Sequence, residues 1–223
     1  MPALHLHILD ARHRLADLRD WVADTLRDTH ARAAAHLPLG PLDVVIQAGS
    51  QVIPGKGHGG YAGQPGLIHV TLDPDDPALR ADTDQSLARM LAHELHHAAR
   101  WDGPGYGRTL GEALISEGLA CHFAHDLFGP PPEPWETLPS ATLDRHRPEG
   151  IRDWNDPTYD HRAWFFGTAG KPRWLGYSLG TALVSDHLAA HPQETAASLA
   201  RTPASDFHPD AESRSADAPA EPN

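Results

Sequence analysis

Cysteine is almost missing: Cys121 is the only one in 223 residues. No disulfide can form within the chain, so a fold stapled by disulfides is excluded and nothing points to an oxidising compartment. Positive charge is scarce as well. Lys and Arg number 18 against 30 Asp and Glu, a formal net charge of −12. That balance argues against nucleic acid as a partner, because phosphates call for clustered Lys and Arg, and it disfavours anionic membrane surfaces. No apolar run approaches the length that spans a bilayer. The N-terminus MPALHLHILDARHRL has no basic start followed by an apolar stretch of signal-peptide length, so a cytoplasmic location is expected. Histidine, by contrast, is plentiful: 17 of them, nearly as many as Lys plus Arg. A His motif therefore has to be supported by its position as well as its letters.

The length suffices for one domain with a real core or two small lobes. Leu4, Leu6 and Ile8 alternate with histidines, a short strand signal, with His5 and His7 on its outward face. From about Asp10 to His36 the apolar spacing is helical, and Pro38-Leu39-Gly40 stops it. LDVVIQA (42–48) and LIHVTL (67–72) read as strands, and the glycine-rich stretch 54–66 between them as a flexible loop or a short irregular edge. Asp82 with Gln85 suits the start of a helix running to about Arg100. Thr109-x-x-Glu112 is a capping box opening another, to about Phe128. The stretch 136–171 has no clear period, and a last helix spans about Gly176 to His191. The expected fold class is α+β, with a short mixed sheet and a mainly helical C-terminal part. Residues 1–80 form the N-terminal helix and small sheet, 81–202 the helical part of the same compact unit, and 203–223 a disordered tail.

The informative stretch is MLAHELHHAAR (90–100), which contains His93-Glu94-Leu95-His96-His97, an HExxH motif. Residues four apart on a helix are offset by only about 40°, so His93 and His97 project side by side and can share one cation. Glu94 stands roughly 60° to the side of His97, where it can reach a water beside the metal and take its proton. Leu87, Leu91, Leu95 and Ala98 form an apolar stripe nearly opposite the histidines, so one face of the helix packs while the other serves a site. A catalytic zinc takes three protein ligands and one open position. Glu117, two turns past the capping box in LISEGLA, fits as the third ligand, with Gly118 permitting close helix approach. One zinc ion is expected.

These residues resemble the gluzincin metallopeptidases, in which HExxH is joined by a third-ligand glutamate on the following helix. HELHHAAR, LGEALISEGLA and WLGYSLG together look like a bacterial family of predicted zinc-dependent proteases, over roughly Val44 to His191. The resemblance implies peptidase activity on a peptide or protein substrate, a small sheet above the active-site helix, and a donor that stabilises the oxyanion of the tetrahedral intermediate. Tyr177 is favoured for that donor over His161, Tyr159 and Arg173, the alternative being a packed aromatic. Substrate peptides in such enzymes lie along an exposed strand edge. Gly60, Tyr61 and Ala62 are the expected edge, against a plain flexible loop.

Other readings of the same residues are weaker. His96 lies off the ligand face, and Cys121 reads as a small buried residue. His122 and His125 share the helix of Glu117, where a second metal is a remote alternative. Gly176-Tyr177-Ser178-Leu179-Gly180 matches the GxSxG nucleophile elbow, but no apolar strand precedes it, and Asp186, His187 and His191 follow too closely in the same helix. Two functional rivals stand beside peptide hydrolysis: a non-catalytic zinc protein that binds a partner, and a zinc hydrolase of a small amide or ester. Nothing in the sequence specifies an oligomeric state.

Overall fold

A computed structural model describes residues 2–209. It is a mixed α+β structure with one four-stranded sheet and seven α-helices among the described residues. The strands are β1 (Leu4–Leu9), β2 (Leu42–Ala48), β3 (His58–Gln64) and β4 (Leu67–Leu72). The helices are α1 (Arg19–Ala33), α2 (Pro77–Ala81), α3 (Ser86–Trp101), α4 (Leu110–Phe128), α5 (Ser140–Arg152), α6 (His161–Phe166) and α7 (Leu175–Ala190). No helix among the described residues is long and apolar enough to cross a membrane.

The described residues divide into two compact units interleaved along the sequence: 2–105, 119–132 and 194–201 in the first, and 106–118, 133–193 and 202–209 in the second. The first holds the sheet, in the order β1-β2-β4-β3. β1, β2 and β4 run parallel, with Val44 opposite both Leu6 and Ile68, and β3 runs antiparallel to β4 at one edge. Period-two patterning sets the face: Leu42, Val44 and Ile46 on β2 and Ile68, Val70 and Leu72 on β4 all point into the core. His5 and His7 are exposed, and His7 meets Asp43 across the strands.

β3 is the glycine-rich stretch, and its pairing with β4 is regular from His58 to Tyr61 before a register shift. Glycine weakens a strand in isolation, but here it has a packing purpose. A Cβ on Gly60 would sit 2.3 Å from Met90 Sδ and 2.5 Å from Glu94 Cγ. The bare backbone lets β3 lie directly against α3.

α3 begins at Ser86, four residues later than the Asp82 start read from the sequence. Asp82, Asp84 and Gln85 all have positive φ, so the chain kinks through a 3₁₀ turn at Thr83–Gln85 instead of continuing as helix. Asp82 still caps: its carboxylate accepts the Leu87 amide at 2.9 Å. Leu87, Leu91 and Leu95 are fully buried as the apolar stripe requires. Arg89 on the same helix donates to the carbonyls of Phe128 and Gly129 at the end of α4, where a cation complements the helix dipole.

The second unit is helical. The capping box opens α4 as read: the Thr109 amide donates to Glu112 Oε2, and the Glu112 amide to Thr109 Oγ1. α4 and α7 cross with backbone against backbone. A Cβ on Gly118 would lie 2.3 Å from the Gly180 carbonyl oxygen, and one on Gly180 2.1 Å from that of Leu114. Residues 203–209 lie within the expected tail yet are described: Ala204–Phe207 form a 3₁₀ turn whose buried Phe207 ring meets His187. The remainder of that segment lies outside the described residues.

Candidate metal centre

α3 carries His93, Glu94 and His97 in the first unit. The spacing of four places the two imidazoles together, with Nε2 of His93 and Nε2 of His97 3.1 Å apart and the rings edge to face. Two ring nitrogens so placed match one edge of a tetrahedron around zinc, about 3.3 Å for bonds of about 2.0 Å. His97 is buried and His93 half-buried. Behind His93, its Nδ1 faces Cys121 Sγ at 3.9 Å, so the lone cysteine touches the back of the imidazole.

Glu94 is 7 % exposed, and its carboxylate is fixed by the sheet: Oε2 accepts the Ala62 amide of β3 at 2.9 Å. The Ala62 carbonyl in turn accepts Trp101 Nε1 at 2.7 Å, so both backbone polar groups of this residue are held by α3 side chains. Tyr61, by contrast, is 67 % exposed.

Glu117 lies on α4, one turn before Cys121 on that helix. In the second unit its Oε1 accepts the phenol of Tyr106 at 2.7 Å. Burial, then the Glu117 charge, pushes the Tyr106 phenol well above its ordinary value, which keeps it a donor. Burial also lifts Tyr159 to about 12, with Glu117 adding to the effect. His161 is lowered by burial and partly held up by Glu117. Tyr159 and His161 are joined at 3.0 Å. Tyr177, the favoured oxyanion donor, packs its ring edge-to-face on Phe165 and acts electrostatically on Tyr106. Tyr106 thus bonds the Glu117 carboxylate, Tyr159 and His161 feel its charge, and Tyr177 acts on Tyr106. Arg173 stacks on Trp174 instead.

His93, His97 and Glu117 each offer a ligand atom, all within 4.8 Å of one another, and could hold a metal ion. The donor set, two imidazoles and one carboxylate, suits zinc. His187, His191 and Glu194 form the other such group among the described residues. That second group has Leu188 after its first histidine where the first has Glu94, and the Asp186 before that histidine is bonded to Arg147. His122 and His125 belong to neither group.

Sequence reasoning missed Tyr106. Its signal was faint: one aromatic between two glycines in the α3–α4 loop. Gly105 and Gly107 take φ of +79° and +98°, and this tight backbone turns Tyr106 back over the start of α4. Gly118 was read as letting the Glu117 helix approach the helix of the histidines; the backbone it makes room for is that of Gly180 on α7. The serine of GxSxG is structural: Ser178 is buried, donates to the Trp135 carbonyl and accepts the Leu138 amide.

Residues 25–208 match a protein family described as "Predicted Zn-dependent protease (DUF2268)". The chain belongs to this family. It is also similar to the uncharacterized protein YjfC of Bacillus subtilis, 36 % identical over 77 residues. That match covers 33 % of this chain, and the chain spans only 24 % of the length of that relative. No solved structure gives a significant match.

Proposed function

We propose that the protein is a zinc-dependent peptidase of gluzincin type with a zincin-like arrangement of sheet and active-site helix. One zinc is held by His93, His97 and Glu117, and Glu94 is the general base. The observation that carries this reading is the pairing of two convergent imidazoles with a carboxylate on the same helix that the edge strand holds in place. A site kept only for stability has no use for such a carboxylate.

Zinc bound there supplies a Lewis acid that brings the pKa of a water to about 7. The Ala62 amide fixes the plane of the Glu94 carboxylate, so Glu94 can take the proton from the attacking water and hand it to the leaving amine. Tyr106 holds Oε1 of Glu117. The donor to the oxyanion comes from Tyr177 or from the joined Tyr159–His161 pair; the charge of Glu117 acting on both members of that pair supports the pair, while Tyr177 acts on Tyr106. A peptide substrate lies along β3. Alternate residues of a strand present their polar groups to the same side, so Gly60 faces the outer edge as Ala62 does. With Ala62 engaged by Glu94 and Trp101, Gly60 supplies the backbone contact and exposed Tyr61 lies beside it.

The test is Glu94→Gln. The expected result is unchanged zinc content with hydrolysis of a peptide library reduced about 10²–10⁴-fold, the usual contribution of a positioned base. Wild-type hydrolysis by this variant would remove Glu94 from the mechanism.

A further inference from the structure

Resting on Glu117 as a ligand, we propose that Tyr106 is a positioning residue that sets the strength and mode of metal binding through the Glu117 carboxylate. A glutamate side chain ends in a rotor with two equivalent oxygens, so an unheld carboxylate can turn, and can offer a cation one oxygen or both. The Tyr106 phenol removes that equivalence. Its O–H donates to Oε1 at 2.7 Å, close to the usual O–H···O distance and short enough to be charge-assisted. Oε1 is thereby engaged, which restrains rotation of the carboxylate.

The placement of the phenol is built into the chain. The sharp Gly105-Tyr106-Gly107 turn at positive φ folds it back over α4. Gly107 cannot carry a side chain there, since a Cβ would sit 2.1 Å from that of Glu112. Glu112 itself is anchored by accepting the Arg108 and Thr109 amides. The capping box that starts α4 therefore also fixes the turn that aims Tyr106, eleven residues ahead in sequence of the carboxylate it holds. Groups of this kind behind a ligand typically contribute 10–100-fold to metal affinity.

The experiment measures zinc dissociation constants by chelator competition for the wild type, Glu117→Ala and Tyr106→Phe, together with the visible spectra of their cobalt(II) forms. The proposal expects Tyr106→Phe to bind zinc about 10–100-fold more weakly and to show a changed cobalt spectrum, as the carboxylate loses the Tyr106 hydrogen bond. A purely structural tyrosine would lower the melting temperature of the metal-free protein and leave both readouts alone. If the wild type binds zinc, Glu117→Ala abolishes it and Tyr106→Phe matches the wild type in affinity and spectrum, the proposal is overturned while the metal site stands. If Glu117→Ala binds zinc like the wild type, the metal assignment fails and takes the proposal with it. Should Tyr106→Phe not fold, 3-fluorotyrosine placed at position 106 keeps the ring and the phenol. Its fluorine signal is expected to move on zinc addition, and an unmoved signal contradicts the proposal.

Discussion

A single methylene decides how close β3 can come to α3. At Gly60 the space for a Cβ is already filled by Met90 and Glu94. Gly60→Ala must therefore push the strand away or turn Glu94 off its hydrogen bond to Ala62. We expect about 1–3 kcal/mol of destabilisation by urea titration, and a fall in activity larger than that lost stability accounts for. His58, at the start of the same strand, gives a pH dependence. It is buried, bonds Ser86 Oγ through Nε2 at 2.8 Å, and burial lowers its pKa to about 4. The unfolded chain takes up this proton near pH 6.5, the native protein only near 4. Between those values the unfolded state holds more protons, so stability falls as the pH drops through the window, by about 3 kcal/mol in all. His96 and His30 are lowered by burial in the same direction. In His58→Gln, the slope of unfolding free energy against pH over this window is expected to be smaller by about one proton. An unchanged slope would mean that His58 titrates alike in both states.

At the scale of elements, legibility depended on whether a segment carries its own signal. α4 was readable because Thr109 and Glu112 satisfy each other locally, and α3 because its leucine stripe is continuous. The start of α3 was misplaced because Asp82 does cap it, but across a kink made by residues that rarely take positive φ. β3 was read as a loop or irregular edge because glycine has no intrinsic preference for a strand; its reason for being there is Met90 and Glu94 on another element. The stretch 136–171 hid α5 and α6 because Pro148, a residue that ordinarily breaks a helix, lies inside one and the other is only six residues long. The His93–His97 pairing could be read from helix geometry alone, whereas Tyr106 could not, since its aim depends on two glycine dihedrals. The α4–α7 crossing is equally invisible in one dimension. It offers no room at Gly180, where the obstacle is backbone and not a movable side chain. Gly180→Ala is expected to cost about 3 kcal/mol in chemical denaturation, at the upper end for an added methylene. A loss below about 0.5 kcal/mol would mean that the helices separate freely.

For the whole molecule, family membership and side-chain geometry lead to the same chemistry by separate routes. The family description speaks of zinc and proteolysis, and the chain brings two imidazoles and a carboxylate within coordination reach of one another. In the proposed site the ligands come from two helices, so metal binding should be coupled to folding. Zinc at 100 times its dissociation constant is expected to add about 2.7 kcal/mol of stability, and a chelator to remove it. Glu117→Ala should lose most of this stabilisation, which thermal melts with and without zinc would record. The most direct measurement is zinc K-edge X-ray absorption on the purified protein. The account predicts a first shell of nitrogen and oxygen only at about 2.0–2.2 Å, with imidazole scattering from two histidines. Absence of bound zinc, or a sulfur at about 2.3 Å showing that Cys121 and not Glu117 completes the site, would contradict it.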